Sequence, residues 1–250
     1  MRSPGKEAAA RHAYRVVLDA LTEARVVGVG TGSTVGLVLE MLLGDSEALR
    51  LLRGTGIVAS SLDTLMKLSS AGLSATMTIP GSGIDLYFDG ADEVACDKGM
   101  CMLVKGRGAA MTREKLLAFY SRRNIIVVDE SKVSRRLGEK GKPVPVEVLP
   151  DAVMAFTAYM EAVGVRAEPR RGAGKDGPVV TDNGGVVVDT WPWGVMPPHM
   201  YEALLDTTPG VMGHGLFLGI VDEVVVGYGD GSVSVIRCRR TRAPRGRSGS

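Results

Sequence analysis

Residues 25–43 read RVVGVGTGSTVGLVLEMLL. Three valines in the first five positions suit a short buried strand, GTGST suits a tight turn, and TVGLVLEMLL has the apolar density of a packed helix. This β-turn-α unit sets the fold, because the chain on either side repeats its alternation. Upstream, KEAAARHAYRVVLDALTEA (6–24) is rich in helix formers, with apolar residues three and four apart. Downstream, GIVAS (56–60) reads as a strand and SLDTLMKLSSAG (61–72) as a helix closed by glycine. GIDLYFDGADE (83–93) and MCMLVKG (100–106) read as strands, GAAMTREKLLAFYSRRN (108–124) as a helix and IIVVDESK (125–132) as a buried strand. The expected fold class is α/β, a mainly parallel sheet with helices on both faces, plus a smaller inserted α+β domain.

The boundary of that insertion is expected at LGEKGKPVPVEVLP (137–150), where charge, glycine and proline accumulate. Beyond it lie a helix in DAVMAFTAYMEAVG (151–164), a hairpin signal in PVVTDNGGVVVDT (178–190), and a helix and strand in YEALLDTTPGVMGHGLF (201–217). EVVVGYGDGSVSVIR (223–237) flanks a turn and is expected to rejoin the first sheet. Residues 1–137 and 223–236 thus form a discontinuous α/β domain holding the chemistry, and residues 138–222 the inserted domain. Residues 237–250 read as a basic, disordered tail.

At 250 residues and 45% apolar content the chain can bury a sizeable core. No window has the roughly 18 apolar residues a membrane helix needs, and MRSPGKEAAARHAYRVV lacks the apolar core of a secretion signal, so a cytoplasmic location is expected. Three cysteines, Cys96, Cys101 and Cys238, are too few and too odd in number for a disulfide framework, which points to a reducing compartment. The C-x4-C pair has no histidine near it, so structural or incidental cysteines are expected in place of a zinc site. The formal charge of +2 hides an asymmetry: six arginines and no acid lie in the last 14 residues, leaving the body at −4. Without interleaved aromatics the tail reads as a solvated end, not a nucleic-acid contact.

Two stretches carry candidate chemistry. GVGTGSTVG (28–36) follows a strand and opens a helix, so its N–H groups and hydroxyls can cradle a phosphate; an N-capped helix after a tight turn is the plain alternative. It lacks the Gly-Lys-Ser/Thr ending of a P-loop and the third glycine of a dinucleotide fingerprint. FDGADEV (88–94) sets Asp89 and Asp92 at the carboxyl end of a strand, where ligands bind in parallel sheets. A hard cation would explain clustered carboxylates. VKGRGAAMTREK (104–115) then brings Lys105 and, early in a helix, Glu114. A lysine among carboxylates argues for acid/base chemistry without metal.

Seven segments in order resemble the ribose-5-phosphate isomerase type A family. They are GTGSTV (30–35), DGADE (89–93), KGRGAAMTREK (105–115), DESK (129–132), PVPVEVLP (143–150), VVTDNGGVVVD (179–189) and PGVMGHGLF (209–217). The resemblance implies an aldose-ketose isomerase of the pentose phosphate pathway. It would interconvert D-ribose 5-phosphate and D-ribulose 5-phosphate through an enediolate, with no metal or organic cofactor, commonly as a homodimer. Carried over by motif, Glu114 is the base, and Lys105, Asp89 and Asp92 complete the catalytic group. Asp89 is expected to open the sugar ring and Asp92 to orient hydroxyls. Substrate contacts are implied for Thr31, Gly32, Ser33, Thr34, Asp89, Gly90, Ala91, Asp92, Lys105, Gly106, Arg107, Gly108 and Lys132. Arg107 stands where the family usually has glycine, ACDKGM (95–100) is expected as a lengthened hairpin, and Lys6 is given no phosphate role. Rival readings are a related sugar-phosphate isomerase or deaminase, a sugar-phosphate sensor without catalysis, and nucleic-acid binding through the tail.

Overall fold

The computed structural model describes residues 3–174 and 176–242. With strands and helices numbered in chain order, the central sheet comprises β1 (Val26–Val29), β2 (Gly56–Ala59), β3 (Ala75–Thr76), β4 (Ile84–Asp89), β7 (Ser121–Asp129), β14 (Glu223–Gly227) and β15 (Val233–Arg237). Its order is β15-β14-β7-β4-β1-β2-β3, parallel throughout except for β14 with β15. The chain builds β1, β2 and β3 in one direction, then returns past β1 to build β4, β7 and β14 in the other. At that reversal the connections leaving β1 and β4 part to opposite faces, and a crevice opens beyond the strand ends.

Burial accounts for the composition of these strands. In β7 every residue from Asn124 to Asp129 is buried, and each large aliphatic side chain withdrawn from water contributes about 1.5–3 kcal/mol. One face of the sheet is packed by α1 (Pro4–Leu21), α2 (Ser33–Leu43), α3 (Ser46–Arg53) and α4 (Leu62–Ser70). The other carries α5 (Met111–Tyr120) together with a four-stranded sheet, β13-β6-β5-β8, made of β5 (Glu93–Asp97), β6 (Met100–Val104), β8 (Val133–Ser134) and β13 (Leu216–Leu218). A third, antiparallel sheet, β10-β11-β9-β12, contains β9 (Val144–Val148), β10 (Arg166–Pro169), β11 (Val186–Trp191) and β12 (Val211–His214). It packs with α6 (Val153–Ala162) and α7 (Pro198–Thr207) around Phe156, Met160, Tyr201 and Leu205.

Several elements differ from the sequence reading. The helix expected over 108–124 stops at Tyr120, because Ser121 and Arg123 pair with Ile84 and Leu86 of β4 and are drawn into β7. The α3 helix was not expected; Asp45 caps it by accepting from the N–H groups of Glu47 and Ala48. The first arm of the 178–190 hairpin is reduced to isolated bridges, Arg171 with Pro178 and Val180 with Val186. MCMLV belongs to the second sheet, so DGADE is the passage from one sheet to another: Asp89 ends β4 and Glu93 begins β5.

Two expectations are corrected outright. Cys96 and Cys101 form a disulfide; an odd cysteine count excludes a framework but not one local bridge between residues paired across a hairpin. The basic tail is docked as far as it is described. Arg237 closes β15, the Arg239 N–H donates to the Gly99 carbonyl at 2.6 Å, and Arg242 pairs with Glu202 at 2.8 Å. The Arg240 guanidinium donates to the carbonyls of Ala118, Phe119 and Ser121, capping the end of α5. Residues 243–250, the rest of the expected disordered tail, lie outside the described residues. Among the described residues no helix is long and apolar enough to cross a membrane.

Candidate active site

The crevice between β1 and β4 owes its shape to two glycines of GVGTGS. A Cβ on Gly28 would stand 2.9 Å from the Tyr87 ring, and one on Gly30 only 2.2 Å from the Asp89 carboxyl carbon. These positions are bare so that β4 can present Tyr87 and Asp89 against β1. The next residue completes the join, its Thr31 N–H donating to Asp89 Oδ1 at 3.1 Å. Gly32 then turns with φ 122°, a conformation that favours glycine, and starts α2. Whereas α1, α3 and α4 have side-chain caps from Ser3, Asp45 and Ser61, α2 has none, so its first N–H groups remain available at the crevice.

Beneath the crevice lies a compact group of buried charges. Asp89 is 0% exposed and fully engaged: Oδ1 also accepts from the Gly90 N–H at 2.7 Å, and Oδ2 accepts from the Tyr87 hydroxyl and pairs with Lys105 Nζ at 2.8 Å. Lys105 leaves the end of β6, donates to the Gly90 carbonyl at 2.6 Å and lies 3.2 Å from Glu114 Oε2. Burial opposes its charge, but Asp89 and Glu114 outweigh burial and hold its pKa above the ordinary lysine value. One ammonium therefore serves two carboxylates, and Glu114 is the less compensated. Burial first, then the Asp89 charge, push the Glu114 carboxyl up to about 8, against the pull of Lys105. Tyr87 is raised mainly by burial and stays a hydroxyl donor.

Above this group a cleft, partly open to solvent, gathers most of the residues singled out in the sequence. Thr31, Gly32, Ser33 and Thr34 line it from the first loop, and Gly90, Ala91 and Asp92 from the second. Lys105, Gly106, Arg107 and Gly108 enter from the end of β6, Glu114 from α5 and Lys132 from the turn after β7. Asp89 is absent from the lining, since it forms the floor. The Thr31 hydroxyl is taken up by Ser60, Ser61 and Thr64. Arg107 directs a side chain that is 73% exposed to solvent, while its backbone N–H holds Asp92 Oδ2 at 2.9 Å.

Three residues at the cleft were not anticipated. Lys6 of α1 places Nζ 3.4 Å from Ser33 Oγ. Lys142 donates to the Asp92 carbonyl at 2.7 Å and, after burial, is the next cause lowering the pKa of Lys132. Arg170, paired with Asp189, donates to the carbonyls of Gly106 and Arg107 and braces that turn from the third sheet. Nothing local marks these three for the cleft: Lys6 lies outside the matched segments, Lys142 just before PVPVEVLP and Arg170 nine residues before VVTDNGG.

A buried carboxyl-ammonium pair below an uncapped helix end is an arrangement that suits an isomerase acting on a phosphorylated sugar. Residues 56–231 match the model of the family described as ribose 5-phosphate isomerase A, or phosphoriboisomerase A. The ribose-5-phosphate isomerase A of Halobacterium salinarum is 40% identical over 215 residues, spanning 86% of this chain and 89% of its own. That of Aeropyrum pernix is 40% identical over 221 residues, with coverages of 88% and 90%. Among solved structures, ribose 5-phosphate isomerase A of Methanocaldococcus jannaschii superposes with a TM-score of 0.81 at 31% identity, covering 93% of this chain and 97% of that one. A D-ribose-5-phosphate isomerase in complex with phospho-erythronic acid gives 0.83 at 32% identity, with coverages of 95% and 100%. This chain belongs to the ribose 5-phosphate isomerase A family.

Proposed function

We propose that the chain interconverts D-ribose 5-phosphate and D-ribulose 5-phosphate, with Glu114 as the single base. The observation carrying this reading is the pairing, in one cleft, of a carboxyl raised to about 8 with a lysine ammonium 3.2 Å away. Glu114 takes the proton from C2 of the aldose and returns it to C1. Negative charge meanwhile develops on the former carbonyl oxygen, where Lys105 and nearby N–H groups stabilise it; a well-aimed donor contributes about 3 kcal/mol in comparable sites. Asp89 acts through Lys105 as a positioning residue. Ring opening, given to Asp89 in the sequence reading, fits Asp92 better, because Asp92 reaches the cleft and Asp89 has no free acceptor position.

The phosphate is placed at the start of α2, on its open N–H groups, the Ser33 and Thr34 hydroxyls and Lys6. Lys132 and Lys142 flank the Asp92 side and contact substrate hydroxyls. Lys105 supplies the positive charge that the chemistry needs, so no metal is invoked. The pentose phosphate pathway and a homodimer are taken from family resemblance, a cytoplasmic setting from the sequence reading, and residues 138–222 are taken as an inserted domain. The deciding experiment assays ribose 5-phosphate conversion with chelator present, for the parent and for Glu114→Gln. The parent retains activity, and the variant loses about 10²–10⁴-fold. Activity that the chelator abolishes would point to a metal, and an active variant would remove Glu114 from the reaction.

A further inference from the structure

Away from the cleft, three sulfurs that the isomerase reading does not use converge from separate segments. Cys96 lies on β5, Cys101 opposite it on β6, and Cys238 in the arm that follows β15. Cys238 Sγ is 2.7 Å from Cys101 Sγ, and all three sulfurs lie within 4.8 Å of one another. Three thiolates holding one ion at about 2.3 Å would stand about 4 Å apart, so small side-chain rotations convert the cluster into a trigonal sulfur site. Cys101 is buried while Cys96 and Cys238 are half-buried.

We propose that, once the Cys96–Cys101 bond is reduced, the three cysteines bind one thiophilic d10 cation, zinc(II) or copper(I), and fasten the C-terminal arm to the β5–β6 hairpin. A dithiol reductant supplies two electrons and two protons and leaves as its own disulfide; the ion then displaces the thiol protons to solvent. An all-sulfur set selects such ions over hard cations. The two carboxylates whose charge reaches Cys238 are already engaged, Asp222 by Arg240 and Glu223 by Arg123. The fastening falls at the root of the arm whose Arg240 caps α5, the helix that carries Glu114.

The test uses the full chain, reduced and thiol-counted, titrated anaerobically with cadmium(II) as a spectroscopic probe and with zinc(II) against a chromophoric chelator; copper(I) is titrated separately. The expected result is a thiolate-to-cadmium charge-transfer band saturating at one ion per chain, absent from the oxidised protein. Affinity should fall by more than about tenfold in Cys238→Ser, as it does when metal sites lose even a supporting group. Zinc should raise the Tm of the reduced parent more than that of the variant. Cys96→Ser makes the same test from another segment if Cys238→Ser does not fold. No saturable band, unchanged affinity in the variants, or a disulfide that resists the reductant in the folded protein would each overturn the proposal.

Discussion

Asp89 and Glu114 share the ammonium of Lys105 unequally, and the inequality is the functional point. Asp89 collects two N–H donors and a hydroxyl, while Glu114 Oε2 has no hydrogen-bond partner beyond its proximity to Lys105. A carboxyl held this way is costly to fold around when ionised. Its folded pKa of about 8 lies above its ordinary 4.5, so the associated stability is complete below about pH 4.5 and is lost as pH rises through about 8. Glu114→Gln should therefore gain Tm relative to the parent at pH 9, with little gain at pH 5, in thermal melts at both values. An equal shift at both would mean that the carboxyl is not raised. Tyr87→Phe removes one donor from Asp89 without changing shape. Urea unfolding should show a loss of about 1.5–3 kcal/mol, the worth of a hydrogen bond to a charged group. Its kcat should fall several-fold while KM holds, since Tyr87 acts through Asp89 and Lys105.

At the level of elements, local signals found the β-turn-α unit and most helices, because capping residues, glycine turns and apolar spacing act within a few residues. They failed where distant pairing decided the outcome. SRRN carries two arginines that favour a helix, yet pairing with β4 makes it strand. Alternation could not reveal that MCMLV pairs with EVACD in a second sheet. The hairpin turn itself was readable: Lys98 and Gly99 both take positive φ, as a two-residue hairpin turn demands, and this sets Cys96 opposite Cys101. Arg240 looked solvated because its partners, the carbonyls of Ala118, Phe119 and Ser121 at the end of α5, come from more than a hundred residues earlier. Arg240→Ala should leave those carbonyls uncapped and lower stability by about 1–3 kcal/mol in denaturant unfolding. A change within error would show the cap to be replaceable by water.

For the whole molecule, the reversal of strand order between β1 and β4 brings one cleft together from loops scattered over a hundred residues. The catalytic motifs were legible because they sit at strand ends, where an α/β sheet places its ligands. Lys6, Lys142 and Arg170 were not, since their approach to the cleft depends on how α1 and the third sheet pack. In the proposed function all of these groups serve the transfer of one proton by Glu114 between neighbouring carbons. Conversion of ribose 5-phosphate in deuterium oxide, followed over many turnovers by NMR, tests that step directly. A solvent-exchanging carboxyl predicts deuterium accumulating at C1 of ribulose 5-phosphate, at a rate that collapses in Glu114→Gln. Sustained turnover with no label at either carbon would mean a direct hydride shift, and Glu114 would not be the base.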